Sequence, residues 1–219
     1  MGYNIAIDGP AGAGKSTIAK LVAMNKGFIY VDTGAMYRAL AVYFLSKDIK
    51  PEDTARIIEA LPEANVTIQY VDGIQQVLLN GENVTPKLRT EEVSNMASIS
   101  SVIPEVREKL FDLQQSLARD NDVVMDGRDI GTHILPNADL KIYMTASVET
   151  RAKRRHHEMI EKGVKSDLKV IMSEIEERDH RDMTREVAPL MQATDAVYLD
   201  TSKMTIPEVV GHISSLIRK

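Results

Sequence analysis

Cysteine is absent from all 219 residues, which removes disulfides, thiolate zinc sites, iron–sulfur clusters and cysteine nucleophiles from consideration. That inventory fits a reducing compartment, and a cytoplasmic location is expected. Positive charge is also short: 27 Lys and Arg against 32 Asp and Glu give a formal net charge of −5. A nucleic-acid partner is therefore not expected, because a phosphate backbone demands a net or strongly clustered positive surface. Any anionic ligand is small and locally held. No apolar stretch reaches the roughly 18 residues of a membrane span. Residues 1–7 lack a signal-peptide pattern and run straight into a strand-like segment, so neither membrane nor export is expected. Internal repeats and low-complexity segments are missing too.

What is present suits one sizeable core: 43% of the residues are hydrophobic, and the length is short for two independent domains. The expectation is a single domain over 1–219 carrying insertions. Short apolar runs at 3–8, 28–32, 122–126, 140–144 and 197–200 lack clean polar alternation, which is how buried parallel strands read. Helical patterns at 15–25, 36–45, 104–120, 148–162, 168–183 and 207–218 lie between them. The alternation predicts a doubly wound α/β fold with a five-stranded parallel sheet flanked by helices. One stretch departs from it: short strands at 66–71, 75–79 and 82–84 are separated by Asp72-Gly73 and Asn80-Gly81, strong hairpin turns. Residues 62–88 are read as a small antiparallel insert. No large apolar helix face is left over, so a monomer is expected. Four core strands end in aspartate, at Asp8, Asp32, Asp126 and Asp200, and the carboxyl ends of such strands are where ligands bind.

The first strand leads into Gly9-Pro10-Ala11-Gly12-Ala13-Gly14-Lys15-Ser16, followed by a helix-compatible run beginning Thr17-Ile18-Ala19. This satisfies the phosphate-loop pattern G-x-x-x-x-G-K-[ST] in its required setting of strand before and helix after. Small residues let successive N–H groups curl around phosphate oxygens, and the helix N-terminus faces that charge. Lys15 is expected to reach the β- and γ-phosphates of ATP, and the Ser16 hydroxyl to bind Mg²⁺. The loop alone leaves hydrolase, motor, GTPase and kinase open.

Phosphoryl transfer needs charge neutralised on the transferring oxygens, so a kinase supplies arginines outside the loop. Arg38 lies in the helix opened by Asp32-Thr33-Gly34, and Arg128 follows the strand ending at Asp126. Arg178, Asp182 and Arg185, at i, i+4 and i+7, share one face if their helix continues; the same spacing also describes a surface ladder of ion pairs. Arg151, Lys153, Arg154 and Arg155 form either a solvated face or, with the polar link 161–167, part of a helical lid over ATP at 148–185. His156 and His157 are adjacent and show no ligand spacing, so they read as surface residues. No dedicated base is evident. That favours a monophosphate acceptor, already largely ionised at neutral pH, over an alcohol. A guanine-reading N-K-x-D motif is missing, since Asn25-Lys26-Gly27 is followed by Phe28.

The most specific segments are Ile7-Asp8-Gly9-Pro10, Asp32-Thr33-Gly34-Ala35-Met36-Tyr37-Arg38, Leu88-Arg89-Thr90-Glu91-Glu92-Val93, Asp126-Gly127-Arg128-Asp129-Ile130-Gly131-Thr132 and Arg178-Asp179-His180-Arg181-Asp182. Through them essentially the whole chain resembles the bacterial cytidylate kinases, the long form within the nucleoside monophosphate kinase family. The resemblance implies transfer of the ATP γ-phosphoryl group to CMP or dCMP, with Mg²⁺. It further implies that Arg38, Arg128 and Arg185 hold the acceptor phosphate, that Arg178 and Asp182 meet the ribose, and that Ser98, Arg107 and Asp129 read cytosine. Lys15, Arg128 and Arg185 would stabilise the transition state; Gly9 to Thr17 with Arg151 and Arg155 would hold ATP; Thr33 would join the acceptor site, where many relatives have serine. The acceptor region would span 33–104, and the insert 62–88 would move when acceptor binds.

Overall fold

Apolar runs without polar alternation need cover on both faces, and the computed structural model, which describes residues 2–161 and 163–218, provides it. The chain opens with β1 (Asn4–Asp8), α1 (Lys15–Lys26), β2 (Ile29–Asp32), α2 (Thr33–Ser46) and α3 (Thr54–Ala60). Three short strands follow, β3 (Val66–Val71), β4 (Ile74–Leu79) and β5 (Glu82–Asn83), then α4 (Glu91–Ser100) and α5 (Pro104–Arg119). The remainder is β6 (Val123–Gly127), β7 (Leu140–Thr145), α6 (Val148–Glu161), α7 (Leu168–Thr184), β8 (Val197–Asp200) and α8 (Ile206–Leu216). Five strands make a parallel sheet in the order β2-β6-β1-β7-β8, and β3-β4-β5 make a separate antiparallel one. The expected fold class is therefore the observed one. The helix expected over 148–162 ends at Glu161, and Lys162 lies outside the described residues. No described helix is long and apolar enough to cross a membrane.

By contacts the chain divides into two compact units, Met1–Gly2 with Ile29–Val123, and Tyr3–Phe28 with Val124–Lys219. The expected acceptor region 33–104 falls within the first, and the expected lid region 148–185 within the second.

In the first unit, Met36, Leu40 and Phe44 of α2 are fully buried with Ile57 of α3 and Met96 of α4. Each such side chain contributes about 1.5–3 kcal/mol of burial. Helix α2 starts at Thr33, earlier than its apolar pattern suggested, because Asp32 caps it by accepting from the Ala35 N–H at 2.8 Å. Two helices not anticipated are capped in the same manner, α3 by Asp53 and α4 by Thr90, and short-side-chain caps of this kind contribute about 1 kcal/mol each. The hairpin register pairs Val66 with Leu79 and Val71 with Ile74. Both central residues of its turn, Asp72 and Gly73, have positive φ, at 52° and 75°, as the favoured hairpin turn requires. Gln75 of β4 then exchanges two hydrogen bonds with the backbone of Asp32, accepting from its N–H at 2.8 Å and donating to its carbonyl at 3.2 Å. The insert is thus tied to the residue that caps α2.

In the second unit, β1 pairs with β7 and β7 with β8, all parallel. Ile5, Ile7, Ile142 and Met144 are buried at 1% exposure or less, while β8 at the edge exposes Tyr198. Helices α6 and α7 share a small core of Ala152, Ile171 and Ile175, flanked by Val148, Met159, Leu168 and Met172. Asp167 caps α7 by accepting from the Lys169 N–H at 2.7 Å.

Candidate phosphate-loop site

Residues 9–14 leave β1 and turn into α1. Gly9 is obligatory: a Cβ there would lie 1.9 Å from the Met144 carbonyl oxygen at the end of β7. Gly14, the residue before α1, has φ 88° and gives no side-chain cap, so the first-turn N–H groups of α1 stay available to an anion. On the opposite side, loop carbonyls are taken up by cations. Lys15 Nζ donates to Pro10 O at 2.7 Å, Arg151 Nη1 to Ala11 O at 2.8 Å and Arg154 Nη1 to Ala13 O at 3.4 Å. Lys15 is buried. Burial, then the neighbouring Arg128, holds its pKa well below the usual lysine value, against the pull of Asp126, Asp182 and Asp8.

Two strand-terminal aspartates sit at this loop. Asp126 Oδ2 accepts from the Ser16 hydroxyl at 2.9 Å. Asp8 accepts from the N–H groups of Ile130 at 2.8 Å and Gly131 at 2.7 Å. Burial pushes the Asp8 carboxyl up to about 6, against those two bonds. The segment it holds is a single π-helical turn, Ile130–Ile134, a rare form that is frequent at functional sites, and it directly follows Arg128 and Asp129.

Arg128, Asp129, Arg178, Asp182 and Arg185 come together in this second unit. Arg128 Nε donates to Asp182 at 2.8 Å, and Arg185 Nη2 to Asp129 at 3.1 Å. Burial works against the charge of Arg128, and Asp182, together with Asp126 and Asp179, more than offsets it, so its pKa is raised. Asp182 also pays for burial but is held below the usual carboxylate range by Arg128, Arg178 and Arg185. The expected helical stripe needs correction at one end. Helix α7 stops at Thr184, and Arg185 is extended with ψ 144°. Its guanidinium instead bonds twice to the Ala188 carbonyl, where the backbone turns through a φ of 49°. Arg185 therefore meets Asp129 from a turn, while Arg178 and Asp182 remain on the helix.

In the first unit, Thr33 is buried at the start of α2, and Arg38, one turn on, pairs with Asp32 at 3.0 Å. The Nε of Arg38 is buried without a hydrogen-bond partner among the described residues. The same holds for the hydroxyl of Ser98 on α4. Arg107 of α5 is buried, lies 5.7 Å over the Tyr37 ring and donates to the Ser101 carbonyl at 3.3 Å.

The cationic run on α6 divides by role. Arg151 is buried and faces the loop, whereas Arg155 is partly exposed and pairs with Glu174 of α7 at 3.3 Å. Arg154, which the sequence did not single out from the run, also reaches Thr201 O at 3.0 Å. Asp179 was equally unanticipated: it pairs with Arg151 at 2.7 Å and accepts from the Ala11 N–H at 3.3 Å. Its only sequence signal was its place inside Arg178-Asp179-His180-Arg181-Asp182. His157 is exposed beside Glu161, and His156 meets the Ser166 hydroxyl at 2.8 Å.

The model of a family described as cytidylate kinase matches residues 5–219. A cytidylate kinase of Caldicellulosiruptor bescii is 53% identical over 216 residues, covering 99% of this chain and 96% of the relative. Another from an Exiguobacterium species is 50% identical over 215 residues, covering 98% and 96%. Among solved structures, an uncharacterized protein from Eubacterium ventriosum is similar with a TM-score of 0.56 at 14% identity, covering 98% of each chain. A gluconokinase from Sinorhizobium meliloti is similar with a TM-score of 0.50 at 14% identity, covering 97% of this chain and 90% of that one. At such identities these two bear on the fold alone.

Proposed function

The chain belongs to the cytidylate kinase family, and on that premise we propose that it transfers the γ-phosphoryl group of ATP to CMP or dCMP, giving ADP and CDP or dCDP. The observation that carries the reading is the phosphate loop: an uncapped helix N-terminus behind Gly14, loop carbonyls tied back by cations, and a buried Lys15. Such a cradle favours a polyanion, and a bound triphosphate would restore the charge that burial makes costly on Lys15.

Residues 9–17 hold the ATP phosphates in this reading, with Lys15 at the β- and γ-phosphates. Arg151 contributes through the Ala11 carbonyl, and Arg155 lies further along α6. Ser16 and Asp126 offer a hydroxyl and a carboxylate 2.9 Å apart, which suits Mg²⁺, a hard cation bound by one or two protein oxygens together with substrate phosphates. A cation held by Ser16 and Asp126 would supply positive charge to offset the charge on the ATP phosphates.

Acceptor binding rests on arginines already paired with carboxylates: Arg38 with Asp32, Arg128 with Asp182, Arg185 with Asp129. A CMP phosphate gives Arg38, Arg128 and Arg185 an alternative anion. Asp129 is then released to accept from the cytosine N4 amino group, and Asp182 with Arg178 to meet the ribose. The buried Ser98 hydroxyl, without a partner among the described residues, and the Arg107 guanidinium supply donors for the base, and Thr33 lies at the start of the helix that carries Arg38. An acceptor phosphate oxygen attacks the γ-phosphorus, the new P–O bond forms as the bond to the β–γ bridging oxygen breaks, and ADP leaves with that electron pair. Lys15, Arg128 and Arg185 stabilise the charge in between, and the lid helices exclude water. No base is required, because the second pKa of the acceptor phosphate is about 6.

A coupled ADP-release assay with ATP, Mg²⁺ and each nucleoside monophosphate tests this. ADP release should depend on acceptor and be fastest with CMP or dCMP. Release independent of acceptor, or fastest with AMP or GMP, would overturn the assignment.

A further inference from the structure

A phosphate loop works by aiming backbone N–H groups at an anion, yet one of these N–H groups is already engaged. The Ala11 N–H donates to Asp179 Oδ1 at 3.3 Å, 168 residues away in sequence. The carbonyl of the same residue accepts from Arg151 Nη1 at 2.8 Å. Arg151 Nη2 and Asp179 Oδ2 close the ring at 2.7 Å, and Arg151 Nε is fixed by the Ala146 carbonyl at 2.8 Å. Both residues are under 10% exposed. Ala11 is thus held on both its N–H and its C=O by one buried ion pair whose members come from α6 and α7.

We infer that Asp179 is a positioning residue for the ATP triphosphate: with Arg151 it sets the orientation of Ala11 within the loop and fastens the loop to both lid helices. Two physical points support this. A glycine-rich loop is conformationally loose, with positive φ at Gly12 and Gly14, so an external bracket lowers the ordering cost that triphosphate binding would otherwise carry. An isolated carboxylate beside the phosphates would repel them, whereas one neutralised by Arg151 at 2.7 Å does not. Arg151 therefore belongs to the bracket, and its removal should hurt ATP binding through Asp179 as well as through the loop.

The inference rests on the donor reading of the loop, and the test separates the two. Equilibrium binding of Mg·ATP and steady-state constants are measured for the unsubstituted chain, Asp179→Asn, Asp179→Ala, Arg151→Met and the Arg151→Met/Asp179→Ala double variant. Asp179→Asn keeps shape and an acceptor oxygen, so it guards against loss of the fold in Asp179→Ala. The expected result is a rise of fivefold or more in KM and Kd for ATP in each single variant, a KM for CMP within twofold of the parent, and a double variant no worse than the poorer single one. Unchanged KM for ATP in folded Asp179→Asn, or equal rises in both KM values, would overturn the positioning role while leaving the donor site intact. Failure of the unsubstituted chain to bind Mg·ATP would overturn the donor reading and this inference with it.

Discussion

Replacing Asp8 by asparagine should make the protein relatively more stable at neutral pH than at acidic pH. Burial lifts the folded-state pKa of Asp8 from 3.8 to about 6 although two N–H groups bond to it. The native state consequently binds more protons than the unfolded chain between these values. Stability from this group is complete below the unfolded pKa and is lost as pH rises through the folded one. The whole loss is about 3 kcal/mol at about 1.4 kcal/mol per pKa unit, and between pH 4.5 and 7.5 it is about 2 kcal/mol. Asparagine cannot ionise, so the variant lacks this slope. It does present an NH₂ to one of the two N–H donors of Ile130 and Gly131, at a cost of about 1–3 kcal/mol that does not vary with pH. Urea unfolding of both proteins at pH 4.5 and 7.5 measures the difference of differences. The stability of Asp8→Asn relative to the parent should improve by about 2 kcal/mol at the higher pH. A relative stability identical at the two pH values would refute the reasoning.

Lys15→Ala should lower the turnover with saturating CMP by about 100- to 1,000-fold, the scale for removing one charge-stabilising group from a transition state; rates within tenfold of the parent in the ADP-release assay would count against its placement at the transferring phosphate. Asp129→Ala should erode the preference for CMP over UMP by up to roughly a hundredfold, since a buried mismatch of one polar pair costs about 1–3 kcal/mol. Comparing kcat/KM for the two acceptors decides it, and an unaltered ratio would remove Asp129 from base reading.

Features written in local sequence proved legible, and the reason is physical. The loop motif, the two hairpin turns and the apolar strands depend on residues within a few positions of one another, through backbone φ, N–H curvature and side-chain period. The core strand at 197–200 was read to the residue, as was the insert's first strand at 66–71. Helices α3 and α4 escaped because they are short, at 7 and 10 residues, and their Asp53 and Thr90 caps carry as much of their definition as any apolar stripe. The stripe of Arg178, Asp182 and Arg185 failed at its last member for a similar reason: helical spacing continues on paper past Thr184, but a turn at Ala188 captures the guanidinium.

What the motif could not convey is how the loop is held from behind. Its three engaged carbonyls are met by donors 5, 140 and 141 residues away, and only the first lies within reach of a local pattern. Spacing along α6 marked a cationic run, yet it cannot distinguish an arginine placed to touch a phosphate from one that fixes a loop peptide. The distinction depends on burial and on the partner. Arg155, half-exposed beside Glu174, keeps a flexible charge that salt screens. Arg151, buried between Ala11 and Asp179, has its donors committed to backbone and carboxylate. Charge on Arg155 should therefore act on ATP affinity in a manner that weakens with ionic strength, whereas the contribution of Arg151 is geometric and persists in salt.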